Sequence, residues 1–175
     1  PLAHTMGGEV TGTIDESIRH AVTKFAHIHF PACEDASERI VKLGELPESV
    51  HNVGCPRIDL VAELLDNLDA VDLSVLKKDG VGSRVDLNQP FVLLSQHPVT
   101  TEYGAGEAQI NASLQAITES GLPAIVLWPN SDAGSEDIAR GMRKFREREE
   151  VENFHYFKNL PTDVYIWLMH KGILF

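Results

Sequence analysis

The chain has 175 residues, 43% of them hydrophobic, a formal net charge of −11 and a mean hydropathy of −0.12. That length suits one full domain or two partial ones, and the composition is that of a globular protein. The acidic balance, with no long basic run against it, excludes a general nucleic-acid or anionic-membrane binder; a single phosphate ligand needs only a few local donors and stays possible. No apolar run reaches about 18 residues and no basic-then-apolar leader is present, so no membrane span or secretion is expected and the cytoplasm is the expected location. Cys33 and Cys55 have no metal-ligand spacing and read as reduced thiols.

In chain order, "PLAHTM" reads as the last part of a buried strand. The loop "GGEVTGTIDES" follows, dense in acidic residues, with Arg19, His20 and Lys24 just behind it. Ile18, Val22 and Phe25 fall on one helical face, and Thr13 with Glu16 has capping-box spacing for the helix start. "HIHFPAC" alternates like a strand, "DASERIVKLGE" is helical up to Gly44, "SVHNVG" is a short strand and "CPRIDLVAELLDN" a helix. From about Leu68 to Pro90 the periodicity weakens, and glycines and polar residues predict a linker. Beyond it, "FVLLSQ" is a near-continuous apolar strand, "PAIVLWP" a second buried strand and "NFHYFK" a further strand. They alternate with helices over "EAQINASLQAITES", "SEDIARGMRKFREREE" and "TDVYIWLMHKG", and "GILF" opens another strand. Strands are expected near residues 27–32, 50–54, 90–96, 123–129 and 153–158, and those rich in Val, Ile and Leu are too apolar for a wet face. Strict strand–helix alternation with such strands predicts an α/β fold with parallel sheets covered by helices. The unfinished elements at both ends predict an internal piece of a longer protein.

In open α/β sheets ligands sit beyond the carboxyl ends of the strands. The residues there are Gly7–Asp15, His97–Thr101, Asn130–Ser135 and Asn159–Thr162, all polar turns that present N–H groups before a helix. Asp15, Glu9 and Glu16 are the candidate proton-transfer groups of the first loop. Each also has a plain structural reading: Asp15 as a helix N-terminal charge, Glu9 as part of a turn, Glu16 as a capping-box residue. His27 and His29 share a strand face, but no third ligand joins them with convincing spacing, so neither a metal nor another cofactor is expected.

Four motifs in order, "GGEVTGTIDESIRHAVTK", "NVGCP", "QHPVTT" and "PNSDAGS", resemble the hydrolysing UDP-N-acetylglucosamine 2-epimerases of sialic and legionaminic acid synthesis. The resemblance spans nearly the whole chain and implies two Rossmann-like domains of the GT-B type, each only partly present. Residues 1–67 would be the end of the first domain, 68–89 an inter-domain segment and 90–175 the start of the second. The implied reaction removes the C2 proton of the sugar while UDP leaves C1, then adds water to the glycal and releases N-acetylmannosamine. The resemblance places Asp15 at a catalytic carboxylate position, His97 at a UDP-contacting histidine, and Asn130 and the Leu160 backbone at nucleotide contacts. Asp132 and Ser135 of the same turn are counted with them. It implies a UDP-sugar as the partner and a homo-oligomer when full length. One position departs: Met6 stands where relatives carry a catalytic carboxylate, and methionine transfers no proton. A GT-B glycosyltransferase and a non-catalytic nucleotide-sugar binder remain as alternatives.

Overall fold

The structure is a computed structural model that describes residues 1–99, 101–148 and 152–174. It divides into two compact units, Pro1–Glu63 and Leu64–Phe175.

In the first unit, β1 (Ala3–Thr5) pairs in parallel with β2 (Ile28–Phe30) in the register His4 to His29. Helices α1 (Ile14–Phe25) and α2 (Glu34–Lys42) follow these strands, and α3 begins at Pro56. Three sequence readings change here. β1 is not a buried strand: Ala3 and Thr5 are exposed, because β2 is its only described neighbour. The expected strand at "SVHNVG" shrinks to one parallel bridge between Val50 and His29. α1 does not bury its apolar stripe, since Ile18 is 56% and Phe25 73% exposed. The helix is seated through the Arg19, Thr23 and Ala26 side, with Thr23 fully buried against Gly7. Hydrogen bonding of small polar groups, not apolar area, sets that face.

The second unit holds a five-stranded sheet in the order β3-β6-β5-β4-β7. β4 (Val92–Leu94), β5 (Ala124–Leu127), β6 (Phe154–Phe157) and β7 (Ile173–Leu174) are parallel, joined by α5 (Gly106–Ser120), α6 (Ser135–Arg146) and α7 (Thr162–Lys171). β7 lies on the opposite side of β4 from β5, so the strand order reverses there and the loop after β4 stands at a switch point. Alternate residues face opposite layers. Val92 and Leu94 pack with Ile110, Leu114, Ile138 and Met142 of α5 and α6. Phe91 and Leu93 pack with Leu76, Val164 and Leu168 on the other face. β4 and β5, covered on both faces, hold no polar side chain, which is why Val92–Leu94 and Ala124–Leu127 are continuous apolar runs.

Residues 71–87, expected within a linker, join this unit. Val71, Leu73, Leu76, Val85 and Leu87 pack into the α7-side core. The short helix α4 (Val75–Lys78) leads into β3 (Val81–Gly82), which pairs antiparallel to β6 as Val81 with Tyr156 and Gly82 with His155. His155, buried in β6, is bracketed by the carbonyls of Asp79, at 3.0 Å from Nε2, and Ser83, at 3.1 Å from Nδ1. Its ring stacks on Phe157 at 4.6 Å. Gly82, at φ +114°, lets the chain lie flat on the Phe154 carbonyl.

Candidate functional site

The first unit carries a pocket of about 350 Å³ lined by His4, Met6, Glu9, Asp15 and Arg19. The loop that forms it is pinned at several points. The Arg19 Nη1 donates to the Glu9 carbonyl at 3.0 Å, and the Arg39 guanidinium donates to the Gly8 carbonyl. Gly8 has φ +80°, and a Cβ there would stand 2.3 Å from the Ala36 carbonyl oxygen, so the loop touches α2 through bare backbone. Glu16 Oε2 accepts the N–H groups of Thr11 at 3.0 Å and Gly12 at 2.8 Å. Those bonds, with lesser help from His20 and Arg19, hold the Glu16 carboxyl below the usual range. Glu16 therefore reaches back past Thr13, whose own side chain makes no cap bond to the helix, so the expected capping box is replaced by a wider clasp.

Of the expected acidic residues, the structure brings Glu9 and Asp15 to one pocket and assigns Glu16 to holding the loop. Asp15 is exposed, with Oδ2 accepting the Thr13 hydroxyl at 3.2 Å. Met6 sits on the same wall with φ 59°, a left-handed backbone rare for a side chain of that size.

Sequence reasoning missed His4. Its Nδ1 lies 3.1 Å from the Thr23 hydroxyl, which itself donates to the Arg19 carbonyl at 3.1 Å. The hydroxyl has one hydrogen, already used, so it accepts from His4 and fixes the Nδ1–H tautomer, leaving Nε2 with the lone pair. Burial first, then His29 and Arg19, lowers the pKa of His4 from 6.5 and favours the neutral ring. The available signal was its place at the end of a strand just before Gly7. His27 and His29 are separated by environment: His27 Nδ1 accepts the Leu2 N–H at 3.2 Å, whereas His29 is fully buried with Nε2 3.4 Å from Glu45.

These groups set a pH dependence. The neutral-His4 contribution is present above 6.5 and lost as pH falls through its lower folded value. The Glu45 carboxyl is lowered chiefly by the Lys24 bond, so it and Glu16 contribute above 4.5 and lose that contribution below it. Denaturant titration of the first unit should show stability declining as pH drops below 6.5 and declining again below 4.5. A curve that is flat from pH 7 to pH 5 would contradict the lowered pKa of the half-buried His4.

In the second unit, the turn after β5 and the start of α6 form a pocket of about 580 Å³ with Trp128, Asn130, Ser135, Glu136, Arg140 and Arg143 among its walls. Asn130 and Ser135 are thus together. His97 and Asp132, both exposed, meet at 3.5 Å between Nδ1 and Oδ2 and join the turns after β4 and β5. Leu160 is half-buried in the α7-side core, and its N–H is taken by Asn159 Oδ1 at 3.0 Å. His97 and Leu160 do not line the Asn130 pocket, so among the described residues the expected nucleotide contacts fall in three neighbourhoods on the sheet's carboxyl side. Thr100, part of the expected His97 turn, and Glu149 and Glu150, part of the expected polar helix face, lie outside the described residues.

A doubly wound parallel sheet with polar turns at its carboxyl edge defines the α/β class that binds ligands at that edge. The family model for UDP-N-acetylglucosamine 2-epimerase matches residues 1–174, and the chain belongs to that family. It is 31% identical over 153 residues to a protein of Legionella pneumophila named UDP-N,N'-diacetylbacillosamine 2-epimerase (hydrolyzing), covering 86% of this chain and 38% of that one. It is 32% identical over 161 residues to a UDP-N-acetylglucosamine 2-epimerase of Neisseria meningitidis, covering 89% and 40%. The chain therefore spans about 40% of the length of these relatives. The fold matches the crystal structure of UDP-GlcNAc 2-epimerase from Neisseria meningitidis bound to UDP-GlcNAc, with TM-score 0.72 and 16% identity over 99% of this chain and 47% of that one. A Staphylococcus aureus MnaA–UDP structure matches with TM-score 0.70 and 16% identity, covering 99% and 44%.

Proposed function

We propose that the chain is part of a hydrolysing 2-epimerase that converts UDP-N-acetylglucosamine, or a diacetamido analogue, into UDP and the free 2-epimeric sugar. The observation that carries this reading is the first-unit pocket, where two carboxylates, Glu9 and Asp15, stand beside the Arg19 guanidinium. Elimination to a glycal needs a base for the C2 proton and an acid for its return from the other face, and paired carboxylates supply both. The C2–H electron pair forms the C1–C2 double bond as the bond from C1 to the diphosphate breaks with its pair on the phosphate oxygen. Donors must meet that charge, and His97 with the Asn130–Ser135 turn takes that role in the proposal. Water then adds its hydroxyl to C1 while C2 takes a proton. Two domain portions, a cytoplasmic location and homo-oligomerisation belong to the same proposal. The names of relatives favour either sugar: one is an epimerase of UDP-N,N'-diacetylbacillosamine, another of UDP-N-acetylglucosamine.

The test uses the full-length protein carrying this chain, with each UDP-sugar in D₂O. Free UDP with a free epimer deuterated at C2 is the expected result. An epimer still attached to UDP would reject the hydrolytic half of the proposal, and no turnover of either sugar would favour a non-catalytic binder. Met6 supports that second reading, since it puts a non-ionisable side chain on the pocket wall.

His97→Ala should weaken UDP binding by about tenfold, the low end for a charge-assisted bond, because the side chain is exposed. Calorimetry would check this; unchanged affinity removes His97 from the nucleotide site.

A further inference from the structure

We propose that a second pocket of the Leu64–Phe175 unit, framed by Arg143, Arg146, Lys158, Trp128 and Tyr156, is a binding site for an aryl or nucleoside phosphate, separate from the UDP contacts named above. The pocket is about 410 Å³, far larger than inorganic phosphate needs and within the range that holds a nucleotide-sized ligand. Among the described residues its walls hold three cations and no carboxylate, in a chain whose net charge is −11. Neighbouring cations of α6 are neutralised: Arg140 pairs with Asp137 and Glu107, and Lys144 with Glu107 at 2.6 Å. Arg143, Arg146 and Lys158 have no ion pair among the described residues; the Arg143 guanidinium lies 5.8 Å from the Trp128 ring centroid. Such a grouping of like charges raises the local affinity for a multiply charged anion.

The polar floor points the same way. Tyr156 is 5% exposed, and its hydroxyl is buried without a hydrogen-bond partner among the described residues. A buried phenol without a partner is uncommon and costly. Burial pushes its pKa up to about 12, so the hydroxyl stays a donor at neutral pH, suited to a phosphate or sugar oxygen. The half-buried indole of Trp128 supplies flat apolar surface for an aromatic ring. Asn130, Ser135, His97 and Leu160 do not line this pocket, whereas Trp128 and Arg143 line both it and the Asn130 pocket. Arg146 and Lys158 line only this one of the two and are therefore the discriminating positions.

The experiment titrates the chain with AMP and, separately, with pyrophosphate, by calorimetry and tryptophan fluorescence at low and high salt. AMP avoids the uridine specificity expected of the other site. Saturable AMP binding that weakens with salt is expected. Arg146→Gln and Lys158→Gln should each weaken it by roughly tenfold, and Tyr156→Phe by a few-fold while keeping the packed ring. His97→Ala should leave it unchanged. The proposal is overturned if AMP does not bind, if both Gln variants bind as tightly as the parent, or if His97→Ala abolishes binding. Pyrophosphate binding more tightly than AMP would overturn the assignment of an aromatic ligand.

Discussion

Asp15→Asn should lower the rate of UDP release from the proposed substrate by about 10²- to 10⁴-fold, the usual contribution of a positioned proton-transfer group. The amide keeps the size of the carboxylate and an oxygen that still accepts the Thr13 hydroxyl, so the local geometry survives. What it loses is basicity. UDP affinity should stay within about twofold, because the proposed nucleotide contacts lie on other residues. Glu16→Gln is the informative companion. That side chain clasps Thr11 and Gly12, so its loss should loosen the loop and lower stability as well as rate. Steady-state UDP release, calorimetric UDP binding and thermal melting on the three proteins separate the cases. If Asp15→Asn retains full turnover, the carboxylate is only a helix N-terminal charge and the acid–base assignment passes to Glu9.

Gly82→Ala should destabilise the second unit by roughly 3–5 kcal/mol, a large part of the total of about 5–15 kcal/mol for a typical domain. A Cβ at Gly82 would lie 2.1 Å from the Phe154 carbonyl oxygen, and both atoms belong to paired backbone that has no rotamer to change. The same carbonyl accepts the Ser83 N–H at 3.0 Å, so relief by shifting the strand breaks that bond too. Gly121→Ala separates the causes. Gly121 also has positive φ, at +70°, but nothing lies within 4 Å of an added Cβ. It should cost only about 1 kcal/mol, the backbone penalty alone. Equal losses in the two variants, measured by urea unfolding, would mean that the β3–β6 contact contributes little beyond φ.

The parallel sheet was legible because burial on both faces leaves a strong signal: "FVLLSQ" and "PAIVLWP" carry unbroken apolar runs, whereas "NFHYFK" keeps only its aromatic residues and admits the buried His155. β3 was not, because two residues with a glycine carry no period. The packing of Leu73, Leu76 and Val85 depends on neighbours far along the chain. α1 misled for the opposite reason. Ile18, Val22 and Phe25 form a clear apolar stripe, yet the helix docks through Thr23, whose hydroxyl serves both His4 and the Arg19 carbonyl. Spacing weighs apolar area and is blind to a hydroxyl satisfied twice. In the candidate site, the acidic loop was visible as composition and order of motifs. Which carboxylate would hold the loop and which would face the pocket depended on where the Thr11 and Gly12 N–H groups point, which no residue spacing encodes.

The bracketing of His155 by Asp79 and Ser83 also orders events in time. The pairs β4–β5 and β5–β6 are each joined by a single helical crossover, whereas Val81 pairs with Tyr156 across most of the unit. Joining such distant segments costs more chain entropy than closing one crossover, so this edge is expected to dock after β4, β5 and β6 have paired. On the ribosome the segment with Leu73, Leu76 and Val85 emerges first and must wait, its apolar side chains uncovered, until Phe154–Phe157 has been made. Until His155 meets the carbonyls of Asp79 and Ser83, that edge stays open, and the nascent chain offers its apolar side chains to chaperones.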